Sequence, residues 1–272
     1  MFIKFVYTLW DLILILKYIR FKNYYQIPCH RNNQLRIYGN GKSLENMNVS
    51  YDKYVDSMVV NGHVYHPSFS ILKPSYYCLI DAEYFSEKYD NGCNTLKAIN
   101  EKTSWNMYLY VPYSSNNFEL VSRLIINPLI SIVFFSPTYF RGFEKIKYWL
   151  YKHNYAAPKV FNIMSVCIMQ AISMKYERVE LFGVEHNWTK CLTVGDDNLV
   201  YLENSHFYDK ILQTPEPFYY MGEKVFLHQA LFWYSAMFRS YHEITDYIDA
   251  NKIPIKIINK TKGSFIDAFV RE

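Results

Sequence analysis

Short apolar runs punctuate this chain, and most of them close on a polar or turn-forming residue. QLRIYG (34–39) runs into a glycine turn, DSMVVNG (56–62) ends at Asn61-Gly62, and SYYCLID (75–81) ends at Asp81. NMYLYVP (106–112), LISIVFFS (129–136), RVELFGV (178–184) and IPIKIIN (253–259) have the same strand-like length and composition. Helical stretches lie among them, over VFNIMSVCIMQAISMKY (160–176), 222–241 and 243–250. Strands that alternate with helices pack as a mostly parallel, doubly wound sheet with helices on both faces, so the fold class is α/β and Rossmann-like. In such sheets ligands bind beyond the carboxyl ends of the strands, where the strand order reverses. Four polar features stand at those ends: Asn40, Asn61, Asp81 and the pair Glu185-His186. Residues 89–105 and 186–204 read as loops, and a lid-like segment is expected around 186–221. The chain has no internal repeat, so 34–272 reads as one domain.

With 272 residues, half of them hydrophobic, the chain can bury a full core without disulfides or metals. Its five cysteines (Cys29, Cys78, Cys93, Cys167 and Cys191) are widely spaced and form no zinc pattern, which suits a reducing compartment. The net charge is +4, yet Lys4, Lys17, Arg20, Lys22, Arg31 and Arg36 face a single acid, Asp11, before residue 37. The charge is therefore concentrated at the N-terminus, and a nucleic-acid partner would need a broader basic surface.

That terminus, MFIKFVYTLWDLILILKYIRF, is too interrupted by Lys4, Asp11 and Lys17 for a spanning helix and lacks a signal-peptide cleavage site. On a helical wheel Phe2, Phe5, Val6, Leu9, Ile13 and Leu16 share a broad apolar face, with Lys4, Asp11 and Lys22 elsewhere. Residues 1–24 thus read as an amphipathic helix lying in the plane of an anionic membrane surface. Packing of that helix on the protein's own core is the competing expectation.

The stretch Gly39-Asn40-Gly41-Lys42-Ser43 lacks both the Walker spacing and the three-glycine dinucleotide fingerprint. What it offers is a strand, a glycine turn and a hydroxyl, Ser43, at the N-cap of a short helix over 44–49. Free backbone N–H groups there suit a phosphate. Among the histidines, His186 and His206 are the candidate general bases, since imidazole titrates near neutral pH. Asp196-Asp197 in GDDN reads as a solvated turn, and no metal-ligand constellation is present.

Taken together, IYGNGKSL, MVVNGHVYH and YYCLIDAEYF resemble the front half of the bacterial lipooligosaccharide sialyltransferases, glycosyltransferase family 42. VFNIMSVCIMQAISMKYERVELFGVEHN, ENSHFYD and IPIKIINKTKGSFIDAF resemble the back half. The Gly-Asn-Gly-x-Ser-Leu element also occurs in a pterin pyrophosphokinase-like group. The resemblance implies a GT-A variant of the nucleotide-binding sheet, a CMP-activated donor carrying a sialic or related nonulosonic acid, and a metal-independent reaction. It implies that Asn40, Gly41 and Ser43, in the turn that begins at Gly39, hold the donor's phosphate and ribose, that Asn61 and Asp81 contact the nucleotide, and that Asn162 lines the pocket; Lys42 in that turn is a candidate cation for the phosphate. His206 then stands near the catalytic base, with His186 second and Tyr208 beside the leaving phosphate. Lys42 replaces a proline, Asp81 an asparagine, and His186-Asn187 an aromatic pair. The expected acceptor is a surface glycan or glycolipid, lipopolysaccharide or O-antigen, modified at the cytoplasmic face of the inner membrane. An oligomer is compatible with the sequence. The alternatives are a UDP-sugar, GDP-sugar or diphosphate donor on the same fold, and a non-catalytic assembly protein.

Overall fold

The computed structural model describes residues 2–19, 28, 32–45, 47–87, 90–202, 215–220 and 222–272. Its strands are β1 (Gln34–Tyr38), β2 (Asp56–Val60), β3 (Tyr76–Cys78), β4 (Met107–Pro112), β5 (Ile130–Phe135) and β6 (Arg178–Phe182). There follow β7 (Leu192–Val194), β8 (Val200–Leu202), β9 (Glu216–Pro217), β10 (Tyr219–Tyr220), β11 (Glu223–Lys224), β12 (Lys256–Asn259) and β13 (Val270–Arg271). Eight of these form one sheet, in the order β13-β12-β6-β1-β2-β3-β4-β5, and every neighbouring pair is parallel. The runs read as strands in the sequence are therefore strands here, trimmed by a residue or more at several ends.

Helices cover both faces, as parallel crossovers require. The helices are α1 (Phe2–Ile19), α2 (Ser68–Leu72), α3 (Asp90–Lys102), α4 (Ser115–Leu124), α5 (Glu144–Lys152), α6 (Ile163–Ser173) and α7 (Leu227–Asn251). Strand side chains alternate between two cores. Leu35, Ile37, Met58, Val60, Tyr76 and Cys78 pack with Ile15 of α1, Leu150 of α5, Val166 of α6 and Ile244 of α7. Tyr38, Val59, Tyr77 and Leu109 pack on the opposite side with Phe69 of α2, Leu96 and Ile99 of α3 and Val121 of α4. α6 is buried along nearly its whole length, which explains why its sequence has no polar stripe.

Some expectations change. The region 89–105 is largely helical rather than a loop, because Leu96 and Ile99, one turn apart, supply enough apolar contact to dock an otherwise polar helix. α7 is one helix of 25 residues, not two. No Gly or Pro interrupts 227–251, and it stops where Lys252 turns left-handed at φ 50°. Its start moves from 222 to 227, where the Phe226 N–H donates to the Gln229 side chain at 2.9 Å, after Gly222 at φ +84°. α4 and α5 were not legible from the pattern; the first is capped by Ser114 Oγ, which accepts the Asn117 N–H at 3.1 Å.

α1 lies against the sheet's helical layer through a narrow line of contacts. Ile15 is fully buried. Asp11, read as a polar-face residue, is buried too: its carboxylate accepts the Arg141 backbone N–H at 2.7 Å and the guanidinium at 2.6 Å. Thr8 Oγ1 accepts the Phe143 N–H at 3.2 Å, and a Cβ on Gly142 would lie 2.2 Å from that oxygen. The residues wheeled as apolar, Phe2, Phe5, Val6, Leu9, Ile13 and Leu16, face outward and are exposed. Among the described residues no helix is long and apolar enough to cross a membrane. Met1 and residues 20–24 of the expected 1–24 segment lie outside the described residues.

Candidate functional site

β1 and β6 are neighbours, but the chain leaves β1 towards β2 through β5 and leaves β6 towards β12 and β13. This reversal of strand order opens a crevice at the carboxyl ends of the two strands, the position where open parallel sheets bind ligands. The crevice encloses roughly 320 Å³.

Its floor explains the glycines. The Gly39 N–H donates to Phe182 C=O at 2.8 Å and the Gly41 N–H to Gly183 C=O at 2.9 Å, so the two strand exits stay in register. A Cβ on Gly39 would lie 2.2 Å from the Gly183 carbonyl oxygen, which leaves no room for a side chain. Gly183 has φ +65°, and the chain then turns so that the Glu185 side chain reaches back across the crevice. Glu185 Oε1 accepts the Ser43 N–H at 2.6 Å, and a Cβ on Gly41 would lie 1.6 Å from Oε2. The N–H expected to be open for a phosphate is therefore bonded to the chain's own carboxylate. Ser43 is also not an N-cap: the chain makes a single 3-10 turn, Lys42–Leu44, with Gly41 before it and no side-chain cap. Leu44, the last residue of that turn, is buried in the core.

Asn61 and Asn40 form the next wall. Asn61 has φ +51°, a left-handed conformation that asparagine tolerates better than most residues. Its carbonyl is pinned by the Tyr77 hydroxyl, which itself accepts the Val64 N–H at 3.1 Å. Asn40 Nδ2 donates to Val60 C=O at 3.2 Å, which fixes the orientation of its amide. Asn40 Oδ1, Asn61 Oδ1 and Glu185 Oε2 are all buried without a hydrogen-bond partner.

The far wall comes from α6, α7 and the stretch after β6. Asn162 caps α6 by accepting the Met164 N–H at 2.8 Å. The fully buried Tyr241 hydroxyl lies 3.3 Å from Asn162 Oδ1 and 3.1 Å from His186 Nδ1. His186, at φ +48°, stacks on Trp188 at 4.6 Å and on Tyr241 at 5.8 Å. Burial lowers its pKa to about 3, so the ring is neutral at neutral pH. The ring is thus held in the crevice wall by stacking and by the Tyr241 hydroxyl. Lys42 stands exposed at the rim.

Of the residues singled out in the sequence, Gly39, Asn40, Gly41, Lys42, Asn61, Asn162 and His186 line this one crevice. Ser43 joins it through its backbone. Asp81 does not line it; it follows β3 at the same end of the sheet, reaching solvent while the protein around it raises its carboxyl pKa to about 6. His206 and Tyr208 lie outside the described residues. His63, behind Asn61, has its Nε2 3.0 Å from Ser68 Oγ and is held to about 3 by burial. Asp197 closes a turn, as expected: its Oδ1 accepts the Leu199 N–H at 3.0 Å. Among the described residues no group of three His, Cys, Asp or Glu is placed to hold a metal ion. Glu185, Trp188 and Tyr241 are wall residues that sequence reasoning did not select as site residues. The position of Glu185 at a strand end was the available signal, but nothing local marked its carboxylate as folding back onto Ser43.

No family model matches the chain, and no curated protein matches it. A solved structure similar to it is described as a crystal structure analysis of the monofunctional alpha-2,3-sialyltransferase Cst-I from Campylobacter jejuni. Identity between the two is 13 %, and the match covers 90 % of this chain and 82 % of that one with a TM-score of 0.46.

Proposed function

We propose that this chain is a glycosyltransferase that uses a CMP-activated sugar, a sialic or related nonulosonic acid, to modify a surface glycan such as lipopolysaccharide or O-antigen. The observation that carries the reading is the convergence of the glycine turn, Asn40, Asn61 and Asn162 on one crevice at the strand-order reversal. A crevice of this size with a few convergent polar groups suits a nucleotide-sized ligand. The family resemblance of the sequence supplies the choice of CMP.

The reaction is a displacement at the anomeric carbon through an oxocarbenium-like transition state. Lys42 and neighbouring hydrogen-bond donors take up the charge of the departing phosphate without a metal ion. His206 removes the acceptor's proton, with Tyr208 beside the leaving group. Asp81, at the neighbouring strand end, contacts the nucleotide. His186 is assigned a positioning role, because its neutral ring is fixed between Tyr241 and Trp188. The same reading sets the protein on the cytoplasmic face of the inner membrane, with the outward face of α1 in the lipid headgroup region and Lys4 facing anionic lipid.

The test is thermal unfolding with CMP, CDP, UDP and GDP, with and without EDTA. CMP at about a hundredfold excess over its dissociation constant adds about 2.7 kcal/mol, a rise of roughly 5–10 °C for a chain of this size. A shift with CMP that EDTA leaves unchanged is the expected result. A response to UDP or GDP alone overturns the donor, and no response to any of the four overturns the enzyme reading.

A further inference from the structure

The polar atoms left without a partner in the crevice share one chemical character. Asn40 Oδ1, Asn61 Oδ1 and Glu185 Oε2 are all hydrogen-bond acceptors, and all three belong to residues that line it. For Asn40 the assignment is fixed by the bond its Nδ2 makes to Val60 C=O. For Glu185 it follows from the carboxyl group, whose other oxygen accepts the Ser43 N–H. A buried acceptor without a donor costs on the order of 1–3 kcal/mol, more when it carries charge. Clustered in one crevice, the three call for a ligand rich in donors.

A phosphate is the wrong group for this position. It brings only acceptors and negative charge, and the Glu185 carboxylate already occupies the Ser43 N–H that a phosphate would use. Hydroxyl groups are the right one, since each can donate to a carboxylate or an amide oxygen. Glu185 as a whole is half-buried and lines the crevice, so its carboxyl group lies at the crevice wall rather than in the core. Its backbone is held by the Phe265 N–H, which donates to Glu185 C=O at 2.8 Å.

We infer that Glu185, with Asn40 and Asn61, forms an acceptor-lined subsite that takes hydroxyl groups of the ligand, and that the ligand's phosphate lies away from the backbone N–H of Ser43, towards the side chain of Lys42. This rests on the nucleotide-sugar reading above. Glu185 is then a specificity-determining residue. A site built to bond a hydroxyl discriminates strongly against an analogue that lacks it. The hydroxyls come from the ribose or from the transferred sugar, and the two sources are separable.

The experiment is titration calorimetry on the full chain, comparing wild type with Glu185→Gln. The ligands are CMP, its 2′-deoxy and 3′-deoxy analogues, the other ribonucleoside monophosphates, and a CMP-linked nonulosonic acid. If the ribose is the source, wild type prefers CMP over a deoxy analogue by about tenfold or more, and Glu185→Gln erases that preference. If the sugar is the source, CMP and its deoxy analogues bind alike, and Glu185→Gln weakens only the sugar-linked ligand. Tighter binding of CMP by Glu185→Gln would mean that the carboxylate merely competes with phosphate, and overturns the inference. Unchanged binding of every ligand overturns the subsite while leaving the donor reading intact. Silence of wild type towards every nucleotide overturns both. Melting of the unliganded variant checks its fold, and Glu185→Asp, which withdraws the carboxylate by one methylene, reads the same loss if the Gln variant is unstable.

Discussion

Alanine at position 39 would set a Cβ 2.2 Å from a backbone oxygen of Gly183, and neither strand exit can yield without breaking the bonds that hold β1 to β6. Gly39→Ala is therefore expected to destabilise the protein by about 1–3 kcal/mol, the usual cost of overpacking. Urea unfolding measures it, and a midpoint equal to that of wild type would contradict this account of the glycine. The same residues show what the sequence could convey at this scale. It marked a turn where something must come close, and it placed Asn40 and Asn61 at one end of the sheet, while only the family resemblance pointed to Asn162. It could not convey that the close neighbours are Gly183 and Glu185, because Ser43 and Glu185 are 142 residues apart and only the closed sheet joins them. His186 was legible as a strand-end residue. Its depressed pKa was not, since that arises from Trp188, Tyr241 and the surrounding core.

Among the elements, α1 is held by one face and bare on the other, and the two faces can be tested separately. Ile15→Ala removes a fully buried side chain and is expected to cost about 2–5 kcal/mol. Phe5→Glu and Trp10→Glu lie on the exposed face, so they should leave the unfolding midpoint within about 0.5 kcal/mol of wild type. The latter pair should abolish sedimentation with vesicles containing anionic lipid. Retained sedimentation would show that α1 is not the docking surface. Point substitutions suit this test better than removal of the helix, because Asp11 and Ile15 tie it to the body. Strand positions were legible because apolar runs of five or six residues have few alternatives. α3 was not, because its propensity is poor and tertiary contacts through Leu96 and Ile99 decide its state.

For the whole molecule, two buried histidines set the response to acid. His63 and His186 each have a folded pKa near 3, against an ordinary value of 6.5. Between those values the unfolded chain binds protons that the folded chain refuses. Stability is therefore fully present above pH 6.5 and declines as the pH falls towards 3, by up to about 1.4 kcal/mol per pH unit for each histidine. Asp81 acts in the opposite sense. Its folded pKa of about 6 lies above the ordinary 3.8, so its contribution is present at low pH and lost as the pH rises through 6. With two histidines against one carboxyl, urea midpoints should fall from pH 7 to pH 4.5, and His63→Gln should flatten the fall. A midpoint that stays level would contradict the buried, neutral state of both rings.

The side-by-side placement of β1 and β6 also has a consequence for synthesis. A ribosome adding roughly 5–20 residues per second needs on the order of ten to thirty seconds to pass from Ser43 to Glu185. Throughout that interval β1 can pair with β2 on one side, while its other edge lacks the strand that will cover it. An uncovered parallel edge invites pairing with other chains. The nascent front half is thus the stage most in need of a chaperone, and the crevice comes into being only once β6 has been made and has paired with β1.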